Sequence, residues 1–195
     1  MSAAKSVRAI EISKENRETY VKSLQLITDK PVLYVCNVDE RSALSGNNYV
    51  SKVQESINSE NAEVLVLAVA TEADINEFET YDERQLFLDD LGLDEPGAAK
   101  LIRAAYKLLN LETYFTAGEK EVRAWTIYAG STAPQAAGII HSDFEKGFIR
   151  AEVISFQDYD QYGSEIKVKE AGRSRVEGKD YFVQDGDVMH FRFNT

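Results

Sequence analysis

The segment from Thr113 to Ser155 limits the fold more than any other part of the chain. Its β-favouring residues predict two strands joined by a turn at residues 117–120, and Thr132 can cap a short helix that has Pro134 in its first turn. An irregular loop and a third strand at 148–154 follow. Because a two-stranded hairpin cannot bury its apolar face alone, the helix and the third strand must cover it. This order of elements predicts a β-grasp fold.

Two apolar runs of strand length lie earlier in the chain, PVLYVC at residues 31–36 and EVLVLAVA at residues 63–70. Continuous apolar runs are typical of parallel strands covered on both faces. A short helix at 49–58 would join them into a βαβ unit. Because two parallel strands do not make a domain, we expect this part either to belong to a larger α/β domain or to pair with another subunit.

Apolar periodicity predicts three more helices in this first half. They cover residues 13–28, residues 78–91 with an end at Gly92, and a stretch capped by Asp94 that leads to a domain boundary at Asn110. In the second half we expect a loop at 157–163 and a helix at 164–171. Strands at 181–183 and 188–193, with a turn between them, close the sheet.

The charge of the chain is unevenly distributed. Its formal net charge of −11 argues against binding nucleic acid with the whole surface, because Lys and Arg supply phosphate contacts. Ten acidic residues and one Arg lie between Glu72 and Glu95. A basic patch with a net charge of +3 lies nearer the C-terminus and contains Lys167, Lys169, Arg173, Arg175 and Lys179. Two ordinary solvated faces are the alternative interpretation of this asymmetry.

Several classes of protein are disfavoured by the sequence. No apolar run approaches the roughly 18 residues needed to cross a bilayer, and the first residues lack the apolar core of a signal peptide. We therefore expect a cytoplasmic protein without a membrane partner, and the single Cys36 fits a reducing compartment. His141, Asp143 and Glu145 form a poor metal or acid–base pattern, and His190 is expected to be surface-exposed or hydrogen-bonded. No catalytic residue and no metal site are expected.

Long segments of the chain resemble one known family. These segments are KPVLYVCNVDE, LDEPGAAKLIRAAYKLLNL, YFTAGEKEVRAWTI, APQAAGIIHSDFEKGFIRAEVISF and EGKDYFVQDGDVMHFRF. They are similar to the C-terminal half of the YchF / Obg-like ATPases, which ends in a ubiquitin-like TGS domain. The resemblance implies a fold of the α/β plus α+β class, in which residues 1–110 are the remnant of a P-loop NTPase βαβ domain and residues 111–195 are a TGS-type β-grasp.

The resemblance also implies which nucleotide contacts are present. The phosphate-binding pattern Gly-x-x-x-x-Gly-Lys-Ser/Thr occurs nowhere in the sequence. The family uses ATP and Mg²⁺ in its full-length proteins, so we expect this chain alone to bind neither tightly and not to hydrolyse ATP. The base-recognition segment is retained as Asn37-Val38-Asp39-Glu40. Asn37 would offer an amide to the base, Val38 replaces the Lys of GTPases, and Glu40 takes the acidic position, while Val69 and Ala70 would line the base.

Two functional hypotheses follow from the resemblance. In the first, the chain is the C-terminal portion of a ribosome-associated ATPase whose TGS domain contacts the ribosome or its rRNA through the basic patch. In the second, it is a β-grasp adaptor that only binds and has no nucleotide function. The oligomeric state is left open.

Overall fold

A computed structural model describes residues 5–58, 60, 62–118 and 121–194. The chain forms two compact units, Met1–Leu109 and Asn110–Thr195. Glu119 and Lys120 of the predicted hairpin turn lie outside the described residues. No helix in the described ranges is both long and apolar enough to cross a membrane.

The first unit contains a parallel pair of strands. Strand β1 (Leu33–Asn37) pairs with β2 (Glu63–Leu67) along their whole lengths. Helix α2 (Asn48–Ser56) lies between them in sequence, and the Asn47 side chain caps it by accepting hydrogen bonds from two backbone N–H groups. The βαβ unit that the apolar runs indicate is therefore present.

Two helices follow β2. Strand β2 ends at Leu67, and helix α3 (Val69–Glu77) begins two residues later, so the prediction of a strand through residue 70 is wrong. Helix α4 (Tyr81–Asp90) starts with a capping box between Thr80 and Glu83. It ends before Gly92, whose φ of +70° allows the chain to turn.

Helix α5 (Gly97–Leu108) is the longest helix of the first unit. Its N-cap residue is Pro96, which has no side-chain acceptor, so the prediction that Asp94 caps this helix is wrong. The elements before α5 form a small core of three buried side chains. These are Ile75 of α3, Leu88 of α4 and Leu93 of the loop after α4.

The predicted helix at residues 13–28 is shorter and irregular. Helix α1 (Lys14–Asn16) continues through a π-helical turn (Arg17–Val21) and a 3₁₀ turn (Lys22–Leu24). Gln25 then adopts a left-handed conformation with a φ of +48°, which ends the helix before the expected stop. The apolar stripe of Tyr20, Leu24 and Ile27 is 62–82% exposed.

The second unit contains a five-stranded sheet. Its strands are β3 (Leu111–Ala117), β4 (Val122–Tyr128), β5 (Phe148–Ser155), β6 (Arg175–Glu177) and β7 (Asp187–Phe193). The strand order is β4-β3-β7-β5-β6, in which β3 and β7 are parallel and the other neighbouring pairs are antiparallel.

Helix α6 (Ala133–Ile140) packs against one face of this sheet. The backbone N–H of Thr132 donates to the Gln135 side chain at 2.9 Å, and Pro134 lies in the first turn, as the sequence predicts. Three alanines of α6 are fully buried, which brings the helix close to the core. The Tyr114 hydroxyl donates to the carbonyl of Ala136 at 2.9 Å.

Three parts of the second unit differ from the predictions. The expected loops contain helix α7 (Ser142–Lys146) and helix α8 (Phe156–Tyr162), because His141 and Ser155 accept backbone hydrogen bonds as caps. The expected strand at 181–183 is a single bridge between Phe182 and Thr132.

Helix α9 (Glu165–Glu170) is observed where a helix was expected, and it buries Val168 against the second face of the sheet.

Candidate functional site

The carboxyl ends of β1 and β2 form a corner that contains residues 37–40, the segment that the family resemblance predicts to recognise a base. Asn37 ends β1 and lies opposite Leu67, the last residue of β2. The Asn37 Oδ1 atom accepts a hydrogen bond from the Val69 N–H at 3.1 Å. The Val38 N–H donates to the Leu67 carbonyl at 2.8 Å. These bonds hold the two strand ends together, and the Asn37 side-chain NH₂ group has no hydrogen-bond partner among the described residues.

Val69 and Ala70 belong to the first turn of α3, and both are exposed. They therefore lie in a helix rather than at the end of the predicted strand. The first N–H groups of a helix have no acceptor within the helix. The Val69 N–H is satisfied by Asn37, whereas the Ala70 N–H has no acceptor in the part of the chain that the structure describes.

Asp39 and Glu40 have different roles in this corner. The Asp39 carboxylate accepts hydrogen bonds from the backbone N–H and the hydroxyl of Ser42, both at 3.1 Å, and so stabilises a 3₁₀ turn (Glu40–Ser42). Glu40 is exposed, and its carboxylate has no hydrogen bond or ion pair within the described ranges. Glu40 is thus the acidic side chain of this segment that is available to a ligand.

Glu72 of α3 connects this helix to the start of α5, and the sequence analysis did not predict this contact. Its carboxylate accepts hydrogen bonds from the Gly97 N–H at 2.6 Å and from the Ala98 N–H at 3.0 Å. The side chain of α3 therefore caps the start of α5. Glu72 and Gly97 are 25 positions apart in the sequence, so no local signal predicts this contact.

The five cations of the predicted basic patch are all exposed but are not equivalent. Lys169 and Arg175 make ion pairs with carboxylates of the same unit. Lys167, Arg173 and Lys179 have no ion pair or side-chain hydrogen bond among the described residues. Within that part of the chain, the patch therefore contains three unpaired cations rather than five.

Glu152 neutralises part of the positive charge beside the patch. Its carboxylate accepts hydrogen bonds from Arg192 at 2.9 and 3.0 Å and from Lys169 at 3.1 Å. The hydrogen bonds from Arg192 and then from Lys169 lower the pKa of Glu152 below its usual value. Neither Glu152 nor Arg192 stands out in the sequence, because the pairing of β5 with β7 brings Glu152 near Arg192 and the packing of α9 brings it near Lys169.

Arg175 is held by a small network. The Asp187 side chain is 3% exposed, and its carboxylate accepts hydrogen bonds from the Tyr181 hydroxyl at 2.7 Å and the Gln184 N–H at 2.9 Å. An Arg175 guanidinium nitrogen lies 3.5 Å from Asp187, and the guanidinium lies over the Tyr181 ring. Burial, followed by the hydrogen bond to Asp187, raises the pKa of Tyr181 to about 12. Arg175 is thus a positioned side chain rather than a freely mobile one.

The two histidines and the cysteine are not assembled into a site. His141 accepts a hydrogen bond from the Asp143 N–H at 3.2 Å and so caps α7. His190 is exposed on β7, and Cys36 is a free thiol. Across the described ranges, no group of three or more His, Cys, Asp or Glu side chains could hold a metal ion.

Sequence comparison places the chain among known relatives. A family model described as YchF-GTPase_C, protein of unknown function (DUF933), matches residues 111–194. The "Ribosome-binding ATPase YchF" proteins of Pasteurella multocida and Bacillus subtilis are each 53% identical to this chain. The matches cover 97% and 98% of this chain but only 51% and 52% of the relatives. The chain therefore spans about half the length of the curated relatives it matches.

A solved structure gives the same result. The Schizosaccharomyces pombe YchF GTPase matches with a TM-score of 0.82 and 36% sequence identity, over 96% of this chain and 50% of that chain. Its mixed α/β fold is therefore shared by this protein. Sequence, family model and fold agree that the chain belongs to the YchF family, as a C-terminal part of its proteins.

Proposed function

We propose that the chain is the C-terminal part of a ribosome-associated ATPase, in which the Asn37 corner contacts the adenine base of ATP. We further propose that the second unit is a TGS-type β-grasp domain that contacts ribosomal RNA in the cytoplasm. The observation that carries the first proposal is the Asn37–Val69 hydrogen bond, because it fixes the Asn37 amide and leaves its NH₂ group unpaired among the described residues.

The corner offers the hydrogen-bonding groups that adenine needs. Adenine carries an N7 acceptor and an N6 amino donor side by side, and an Asn side chain can pair with both. The Asn37 NH₂ group would donate to the ring nitrogen. Its oxygen has a second lone pair beyond the bond to Val69 and can accept from the amino group. Val38, which lacks the long Lys stem found in GTPases, leaves this base position open to adenine.

We assign the groups that bind the phosphates and Mg²⁺ to a part of a longer protein that is not in this sequence. The pattern that cradles nucleotide phosphates does not occur in this sequence. We therefore propose ATP and Mg²⁺ as ligands of a longer protein that also carries a phosphate-binding loop. In such a protein the residues of this chain would orient the base, and the loop and its metal ion would supply the electrostatic stabilisation of phosphoryl transfer.

The second unit supports a role in RNA contact. A mixed sheet with a parallel central pair and one helix packed on its face is the arrangement we assign to the β-grasp. Lys167, Arg173 and Lys179 are exposed and have no ion pair among the described residues, so they can meet phosphates without losing an internal partner. The relatives named ribosome-binding ATPases indicate the ribosome as the source of that RNA.

Calorimetric titration with ATP tests the base contact in a longer family protein that contains this chain. Asn37→Ala should weaken ATP binding about tenfold and leave the protein folded. An unchanged affinity would remove the assignment of Asn37. The binding-only adaptor predicts a different outcome, in which no adenine-dependent signal is seen and ribosome binding is unaltered.

A further inference from the structure

A cleft of about 460 Å³ lies in the second unit, beside the Arg175 network. Its volume is within the roughly 300–1,000 Å³ that is typical of pockets for small ligands. The cleft is lined from β3, the start of α8, β6 and the turn before β7. Arg175 belongs both to the cleft and to the basic patch.

Aromatic side chains form one wall of the cleft. The rings of Phe115 and Phe156 are 5.9 Å apart and tilted by 39°, and Phe156 is 52% exposed. Gly186 faces this wall with a φ of +84°, and a Cβ atom there would lie 3.4 Å from the Phe156 Cβ. Glycine therefore permits the turn and keeps the wall accessible. An exposed aromatic ring in a cleft can stack on a flat, unsaturated ligand.

Polar groups at the rim complement the aromatic wall. One oxygen of Asp185 accepts a hydrogen bond from the Thr113 N–H at 2.8 Å, and its other oxygen has no partner among the described residues. The exposed side-chain amide of Gln157 is likewise unpartnered within the described ranges. The Arg175 side chain is 48% exposed and positioned by Asp187, so part of its donor set is available. The cleft thus combines a stacking surface, a fixed acceptor and a guanidinium group.

We propose that this cleft binds one unstacked nucleotide of single-stranded RNA, with the base against Phe156 and a phosphate near Arg175. The free oxygen of Asp185 accepts a hydrogen bond from the exocyclic amino group of the base, so the cleft favours bases that carry such a group over uracil. This inference rests on the proposed RNA contact of the second unit. It deepens that proposal by naming the form of RNA and the chemical group that is read.

Two RNA probes of equal length test the base preference. Short oligocytidylate and oligouridylate have pyrimidine bases of similar size that differ in an amino donor against a carbonyl acceptor. The complete chain should bind oligocytidylate about five- to tenfold more tightly at neutral pH, measured by fluorescence anisotropy. Equal affinities for the two probes would overturn the proposal.

Asp185→Asn tests whether this carboxylate reads the amino group. The variant keeps an oxygen for the Thr113 N–H but replaces the free acceptor by an amide donor, so the preference for oligocytidylate should disappear. Asp180→Asn is the matched control, because Asp180 is exposed, lies outside the cleft lining and loses the same charge. A loss of preference in both variants would show that charge alone acts, and it would contradict the proposal.

Phe156→Leu tests stacking while keeping an apolar side chain against Phe115. Affinity for both probes should fall about tenfold, without a change in the dependence of affinity on salt concentration. Ile166→Ala removes another exposed apolar side chain outside the cleft and should have no effect. Unchanged RNA affinity of Phe156→Leu would refute the cleft as the binding site.

The outcomes separate this inference from the proposed function. If the chain sediments with ribosomes but does not distinguish the two probes, the cleft proposal fails and the ribosome proposal stands. If the chain prefers oligocytidylate but does not sediment with ribosomes, the cleft proposal stands and the ribosome is the wrong source of RNA.

Discussion

The side-chain oxygen of Asn37 accepts a hydrogen bond from the backbone N–H of Val69 at 3.1 Å. This bond connects the end of β1 to the first turn of α3, 32 residues later in the chain. It explains why an exposed asparagine at a strand end can have a defined orientation. The same bond uses one lone pair of the oxygen and leaves the NH₂ group available to a ligand.

Two substitutions of Asn37 separate these roles. Asn37→Asp keeps an oxygen for the Val69 N–H and should leave thermal stability unchanged, whereas Asn37→Ala should lower the free energy of unfolding by about 1 kcal/mol. Both variants lack the NH₂ donor, so both should weaken ATP binding in the longer protein. Wild-type ATP affinity in Asn37→Asp would show that the NH₂ group does not contact the base.

Gly147→Ala should destabilise the second unit. A Cβ atom at Gly147 would overlap the backbone carbonyl of Asn194, whose own N–H donates to the Gly147 carbonyl at 2.9 Å. Because a backbone group cannot move aside without breaking this pairing, we expect a loss of about 1–3 kcal/mol in thermal or denaturant unfolding.

Gly178→Ala is the control for this substitution. No described atom lies within 4 Å of a Cβ built at Gly178, so the free energy of unfolding should change by no more than about 0.5 kcal/mol. Equal stability of the two variants would contradict the close approach of the chain at Gly147.

Much of this architecture could be predicted from the sequence where the signal is local. The continuous apolar run predicts β1, and Thr132 with Pro134 predicts the start of α6. The role of Asn37 follows from the family resemblance, because an Asn at the end of a strand is by itself a weak signal. Helix α8 was missed because its polar composition resembles a loop, although Ser155 caps it. Its first residue, Phe156, lines the cleft.

The remaining features depend on interactions between distant residues. The bond from Glu72 to Gly97 and the hydrogen bonds of Glu152 with Arg192 and Lys169 arise from tertiary packing. Charge counting could locate the basic patch, but it could not show that Arg175 and Lys169 are paired. The structure therefore changes which cations are the useful ones to test.

Reversing the unpaired cations should weaken ribosome binding most strongly. In a Lys167→Glu, Arg173→Glu double variant, the slope of log affinity against log salt should fall by roughly 0.7–0.9 for each phosphate that is no longer neutralised. Neither side chain has an ion pair among the described residues, so the fold should be retained. The measurement is co-sedimentation with ribosomes over a range of salt concentrations.

The matched control carries the same change of net charge in the first unit. Lys14→Glu combined with Lys52→Glu alters two exposed lysines and should leave ribosome affinity nearly unchanged. If both double variants reduce ribosome affinity equally, the effect is one of net charge, and the patch is not the binding surface.

Glu152 should stabilise the second unit in a pH-dependent manner. Its pKa in the folded protein is lowered by Arg192 and Lys169, so the stabilisation is fully present above the unfolded-state value of about 4.3. It is lost as the pH falls through the folded-state pKa. Glu152→Gln should therefore be less stable than the wild type at neutral pH, by about 0.5–1 kcal/mol, and equally stable in strong acid.

Thermal unfolding as a function of pH measures this effect. Glu170→Gln is the control, because Glu170 is exposed and has no ion pair in the part of the chain that the structure describes. Its stability profile should follow the wild type. A constant difference between Glu152→Gln and the wild type down to strong acid would show that the ion pairs do not contribute.

Co-sedimentation of the 195-residue chain with ribosomes, with and without ATP, tests the central claim most directly. The account predicts that the chain pellets with ribosomes to the same extent in both conditions, because its RNA contacts lie in the second unit and it lacks a phosphate-binding loop. A chain that remains in the supernatant, or that pellets only when ATP is present, would contradict this assignment.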